Sequence, residues 1–372
     1  MDYRVFARGI QEFLLVFQFK GFTEQLIINL REDSFFPELP RKAKFTRVLD
    51  NIAWYLRHGE VNRYYNSYGF DVRGLRKQSE YLARNQFRRK RNNLNLRVSA
   101  FGYTMIGVLR DKSVFSAYMS ASLGPRRVLS EIAWIQADGQ IRICDREHPN
   151  IEPSLKSLLT AYGDLFIKQR DGECGESCYL VEAPDLGADR ISVNGQPETL
   201  EAFCQRLRGS SFLVQRRLKQ HAMLAELNPS CVNTLRIITI IGKASREPRI
   251  FASFLRLGVN SPVDNRTAGG MAVLVDENGV LHGKGFGHHE AYERHPVTGV
   301  CFEGYVLPFW EEVTRLVVNA HRAISSVPAI GWDVAILPDG PILVEGNDNW
   351  EICGVQDTMG GAKKRWKQFV DR

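Results

Sequence analysis

The sequence predicts an α/β fold of the α+β kind: a mainly helical N-terminal part, a small mixed α/β part in the middle, and a C-terminal antiparallel sheet backed by helices. Three observations lead there. Apolar residues recur at helical spacing early in the chain, with Phe45, Val48, Leu49, Ile52 and Leu56 on one stripe. Short apolar runs separated by turn residues follow, and longer strand-like runs then dominate. The last of these, Ile330 to Asn347, reads as a hairpin, because two apolar strands flank Pro338-Asp339-Gly340.

Taken in order, the N-terminal pattern stays helical to about Arg110. Asp111 then caps a helix that stops at Gly124-Pro125. Strands are expected at Glu131 to Gln136, Ile141 to Cys144, Leu165 to Gln169 and Cys178 to Glu182, with helices near Glu152 to Tyr162 and Leu200 to Leu207. Beyond Ser211 the strands are Phe212 to Gln215, Thr234 to Ile241, Arg249 to Leu257 and Met271 to Val275. A helix from Leu307 to Val327 precedes the hairpin, and a basic helix around Lys363 to Phe369 closes the chain. A chain of 372 residues exceeds what one core usually supports, so three units are expected: 1–110, 111–212 and 213–372.

With 44% hydrophobic and 24% charged residues the composition is that of an ordinary globular protein. The seven cysteines are odd in number, scattered and never spaced Cys-x-x-Cys, which argues against a disulfide framework and a structural zinc, and for a cytoplasmic protein. Phe13 to Phe19 is too short to span a bilayer and lacks a cleavage site, so no transmembrane segment is expected; a Phe-rich start suits at most contact with a membrane surface. The formal charge is +7, partly concentrated between Arg84 and Arg97. That tract suits an anionic substrate or is simply a solvated helix face. With Phe87 as its one aromatic residue it lacks stacking groups, and no nucleic acid is expected.

The hairpin carries the most chemistry. A three-residue loop pairs Leu337 with Pro341, which sets Asp333 opposite Glu345 with Asn347 on the same face. Like charges facing across a ladder repel, so oxygen donors without His or Cys point to a bound Mg2+. In a four-residue loop the register slips, the two acids face apart, and both are strand-end polar residues. Upstream, Asp164 to Lys168 is an apolar strand ending in lysine, followed by a loop holding Gly172 and Gly175 and then a second strand. Such an order lets backbone N–H groups and an ammonium approach phosphate; the plain reading is an ordinary hairpin. Arg236 and Arg256 sit on apolar strands where a guanidinium needs an anion, either a phosphate or a buried acid such as Asp333 or Glu345. His288 and His289 lie in a glycine-rich loop, where adjacent residues on extended backbone point apart and disfavour a two-histidine site.

The order Asp111-Lys112, Ile167-Lys168 with its glycine loop, Phe212 to Leu218, Asn233-Thr-Leu-Arg236, Arg256, Gly269-Gly270, Asp333 and Glu345-Gly-Asn347 resembles the ATP-grasp superfamily. It is most similar to the sugar-transfer-associated ATP-grasp group, over roughly residues 105 to 357, through Asn233 to Arg236, His295-Pro296 and Gly331 to Asn347. The resemblance implies an ATP-grasp architecture in which a small lid and the C-terminal sheet hold ATP between them. Gln215, Arg216 and Leu218 would border adenine; Lys112 and Lys168 would meet the phosphates, with Gly172 and Gly175 closing over them. Asp333, Glu345 and Asn347 would hold Mg2+, and Arg236 and Arg256 would neutralise the transferred phosphoryl group. Where superfamily members often place a ribose-binding acid, this chain has Gln-Arg-Arg-Leu, with Glu226 the nearest substitute.

The activity this implies is an ATP- and Mg2+-dependent ligase that activates a carboxylate as an acyl phosphate and joins it to an amine. The partners would be small carboxylate and amine substrates, a sugar acid or an amino acid among them. The alternative on the same scaffold is a kinase acting on a hydroxyl. A third reading is a nucleotide-gated binding protein whose basic N-terminal part engages an anionic glycan, lipid or polynucleotide.

Overall fold

The computed structural model describes all residues except 1–20, 97–103, 146–147, 171–176, 186–188, 262, 265, 267–268 and 372. It is an α+β structure built on two antiparallel sheets. The first sheet has the order β2-β1-β7-β3-β4-β5-β6. Its strands are β1 Ala133–Ile135, β2 Ile141–Ile143, β3 Leu165–Gln169, β4 Cys178–Asp185, β5 Arg190–Val193, β6 Gln196–Thr199 and β7 Phe212–Arg216. The second sheet runs β12-β11-β10-β9-β8-β13-β14. It comprises β8 Thr234–Ile240, β9 Arg249–Leu257, β10 Met271–Val275, β11 Leu281–Phe286, β12 Ala291–Tyr292, β13 Ala329–Leu337 and β14 Gly340–Asn347.

Alternation decides which side chains of the first sheet meet its core. Leu165, Ile167, Phe212 and Val214 pack with the helices Leu155–Tyr162 and Leu200–Leu207, so the intervening Phe166, Lys168, Leu213 and Gln215 occupy the other face. The second sheet is covered on both faces, by the helix Trp310–Ala323 on one side and by Phe87, Trp350 and Trp366 on the other. Its strands therefore read as continuous apolar runs. Behind it a directed chain is fully buried: the Trp332 indole donates to the Thr239 hydroxyl (2.7 Å), which donates to His321 Nδ1 (2.6 Å), while His321 Nε2 donates to the Val327 carbonyl (2.9 Å). Burial holds the His321 pKa down at about 4.

Two expectations are corrected. The helix Lys44–His58 forms, but its apolar stripe faces outward: Phe45 is 73% and Leu56 79% exposed, while Arg47, Asn51 and Trp54 are buried. Those polar residues turn inward because Arg47 and Asn51 bind Asn29 from the preceding helical segment. Nor is the basic tract wholly a solvated face, although Arg89 and Lys90 are exposed. In the helix Arg84–Asn95, Arg91 is completely buried and donates to the Trp350 carbonyl and the Asn349 side chain, and Asn95 donates to the carbonyls of Ala329 (3.0 Å) and Asp348 (3.2 Å). These two side chains brace the open end of the β13–β14 hairpin, where β13 begins and the chain leaves β14.

Candidate active site

A cavity of about 2030 Å3 opens between the two sheets and the N-terminal segments. On the C-terminal side the ladder sets Asp333 opposite Glu345 and, on its other edge, opposite Arg236. The Asp333–Glu345 pairing is the expected one, yet it arises differently. The hairpin closes one residue earlier, Leu337 against Gly340, and a bulge that leaves Val344 unpaired restores the register. Two offsets of opposite sign cancel.

Asp333 is nearly inaccessible and is gripped by two guanidiniums: Arg236 donates from Nε (2.5 Å) and Nη2 (3.0 Å), Arg256 from Nη1 (3.2 Å). Burial pushes its pKa up, but the two arginines outweigh that and hold it below the ordinary carboxylate value. Arg256 also donates to Asp264 (2.6 Å), whose other oxygen accepts from the Thr234 amide (2.9 Å) and hydroxyl (2.5 Å). The repulsion that called for a metal in the hairpin is therefore already relieved by arginine.

Room for a cation nonetheless exists. Glu345 and Asn347 line the cavity, and neither side chain has a hydrogen-bond or ion-pair partner among the described residues. Together with Asp333 they offer an all-oxygen set, which fits Mg2+ and does not fit a thiolate- or imidazole-loving metal. No group of three or more His, Cys, Asp and Glu suited to a metal occurs among the described residues, so the amide of Asn347 is needed as third donor.

Across the cavity Lys168 is buried and lines the same space. Desolvation lowers its pKa, and the Glu345 carboxylate opposes that shift. Lys168 has no hydrogen-bond partner among the described residues. Lys112, first residue of the helix Lys112–Leu123, donates to the Arg170 carbonyl (3.4 Å) and also lines the cavity. Asp111 caps that helix and accepts from Arg170 (2.7 Å). Burial works against it, but Arg170, Ser113 and the Val114 amide bring its pKa down to about 2. Gly172 and Gly175 lie outside the described residues.

The segment Gln215 to Leu218 borders the cavity beside Phe166 and Leu180. Gln215 is 2% exposed and its Oε1 has no partner among the described residues. Arg216 and Arg217 turn their charged ends away, Arg216 onto Asp145 (2.9 Å) and the Tyr162 ring (4.6 Å), Arg217 onto Asp164 (2.8 Å) and Glu182 (2.7 Å). Glu226 is not among the residues lining the cavity, and it accepts from the Tyr305 hydroxyl (3.1 Å). His288 and His289 do meet, with ring nitrogens 2.7 Å apart, because the chain bends there instead of extending.

A family model described as sugar-transfer associated ATP-grasp matches residues 121–369. Among solved structures, the chain is similar to the ATP-grasp ligase PsnB complexed with minimal precursor, at 15% identity over 70% of this chain and 60% of that one, TM-score 0.36. It is also similar to N5-carboxyaminoimidazole synthetase from Staphylococcus aureus complexed with ADP, at 8% identity over 65% and 44%, TM-score 0.36. A third is carboxyaminoimidazole ribonucleotide synthase from Aspergillus clavatus complexed with ATP, at 10% identity over 65% and 45%, TM-score 0.40. The chain spans 60% or less of the length of these three structures. No curated protein matches it.

Proposed function

The chain belongs to the sugar-transfer associated ATP-grasp family, and from that premise we propose that it is an ATP- and Mg2+-dependent ligase joining a carboxylate to an amine. The observation that carries this reading is the convergence of Lys168 from the first sheet and Asp333, Glu345 and Asn347 from the second on one cavity. ATP would lie between the sheets, with adenine against Phe166, Leu180 and the Gln215 to Leu218 segment, where the unpartnered Gln215 oxygen can accept from an amino group.

Lys168 and Lys112 would hold the phosphates. Glu345 and Asn347, with Asp333, would hold Mg2+, which supplies charge neutralisation on the phosphate oxygens when bound. A substrate carboxylate oxygen attacks the γ-phosphorus, the bond to the β-phosphate oxygen breaks, and ADP leaves. Arg236 and Arg256, fixed by Asp333 and Asp264, face the charge that develops on the transferred group. The amine nitrogen then attacks the acyl carbon, phosphate departs with the C–O electron pair, and the nitrogen loses a proton. Fixed cations and alignment do most of this work, since phosphoryl transfer requires positioning more than covalent help.

The test is hydroxylamine trapping: with ATP, Mg2+ and candidate carboxylates, the ligase yields a hydroxamate together with ADP. ADP with a stable phosphorylated alcohol and no hydroxamate would instead establish the kinase.

A further inference from the structure

The cavity is roughly twice the upper end of ordinary ligand pockets, about 1,000 Å3, so it has room for a second molecule beside a nucleotide. Most of its guanidiniums are matched by acids. Arg216 meets Asp145, Arg217 meets Asp164 and Glu182, Arg110 meets Asp348, and Arg266 meets Asp357. Arg236 and Arg256 share Asp333 and Asp264.

One wall breaks the pattern. Arg84 and Arg88, a turn apart on one helix face, converge on the single carboxylate of Glu351. Arg63 is exposed and has no ion-pair or hydrogen-bond partner among the described residues. Glu32, another acid lining the cavity, accepts from the Asn66 amide (3.4 Å) and makes no ion pair among the described residues. Arg84 and Arg88 thus share Glu351, with the Glu60 carboxylate also near Arg84, while Arg63 is left without an acid. All three arginines precede residue 121, where the family match begins, so the cations of this wall come from the part of the chain outside that match.

A guanidinium left over in a cavity is an anion site in search of its anion, and its fork suits carboxylate or phosphate. We propose that the molecule activated by ATP carries a second anionic group, a carboxylate or a phosphate, bound at the wall of Arg63, Arg84 and Arg88. This rests on the ligase reading above. Its reacting carboxylate lies at the other end, beside Arg236 and Arg256, so the cavity selects a spacing between two negative groups as well as their charge.

The experiment is calorimetry on the full chain saturated with Mg2+ and the non-hydrolysable ATP analogue AMPPNP. The titrants are α,ω-dicarboxylates from succinate to azelate, the monocarboxylates of matching length, and 6-phosphogluconate. At one spacing a dianion should bind about tenfold or more tighter than its monoanion. Arg63→Gln should remove most of that advantage while AMPPNP affinity stays within about twofold, as should the double replacement Arg84→Gln with Arg88→Gln. Arg63 is exposed, so its variant keeps the test decisive if the double replacement misfolds. A preference for 6-phosphogluconate identifies phosphate as the second group, and a preference for a dicarboxylate identifies carboxylate. Equal binding of monoanions and dianions at every length, no binding of either, or an equal loss of AMPPNP affinity in Arg63→Gln would overturn the proposal. Failure of AMPPNP itself to bind would instead sink the ligase reading.

Discussion

On the C-terminal sheet, Arg236, Arg256, Asp333 and Asp264 satisfy one another through four forked and crossed hydrogen bonds, and the Thr234 amide and hydroxyl complete the set. Across the cavity, on the first sheet, Lys168 and the Gln215 oxygen are buried without hydrogen-bond partners among the described residues. One wall is rigid before any ligand arrives; the other holds polar groups that only a ligand would satisfy. The contrast assigns stability to the first set and affinity to the second, because unpaired buried groups cost free energy while well-paired ones specify geometry.

The largest way to break this contrast is Asp333→Asn. Removing that charge strands Arg236 and leaves Arg256 with Asp264 alone, so stability in urea unfolding should fall by about 3–5 kcal/mol. A loss under about 1 kcal/mol would mean the network does not brace the sheet. Next comes pH. His321 has a pKa near 4 when folded against about 6.5 unfolded, so the unfolded chain binds the extra proton between those values. Stability should be intact above pH 6.5 and fall by up to about 3 kcal/mol as pH drops towards 4. His321→Gln should flatten that window; an unchanged slope would contradict the assignment.

On the first sheet the sign reverses. Lys168→Met removes an unpaired buried charge, so melting should stay level or rise, while nucleotide affinity falls about tenfold to a hundredfold. A drop in stability with affinity unchanged would place Lys168 with the structural set. The smallest effect belongs to Asp111→Ala, which deletes the cap of Lys112–Leu123 and the tie to Arg170 and should cost about 1 kcal/mol.

How much of this was legible in the sequence follows the same divide. The strands of the second sheet are apolar runs bounded by turn residues, and local pattern suffices to find them. The hairpin register was harder, because a bulge at Val344 has no local signature; the expected pairing holds through a shorter loop and a compensating bulge. The outward stripe of Lys44–His58 misleads since periodicity identifies a helix but not which face meets the core. Arg91 looks like surface charge until Trp350 and Asn349, more than 250 positions later, supply its acceptors. Adjacent His288 and His289 meet through a bend that extended geometry does not anticipate.

The central claim is a nucleotide site that depends on magnesium held by Asp333, Glu345 and Asn347, and titration calorimetry with AMPPNP tests it most directly. Heat of binding should appear with Mg2+, vanish when EDTA replaces it, and weaken about tenfold or more in Glu345→Gln, whose fold should be undisturbed. Uptake of the same strength with and without the metal, or none at all by the folded protein, would contradict the account.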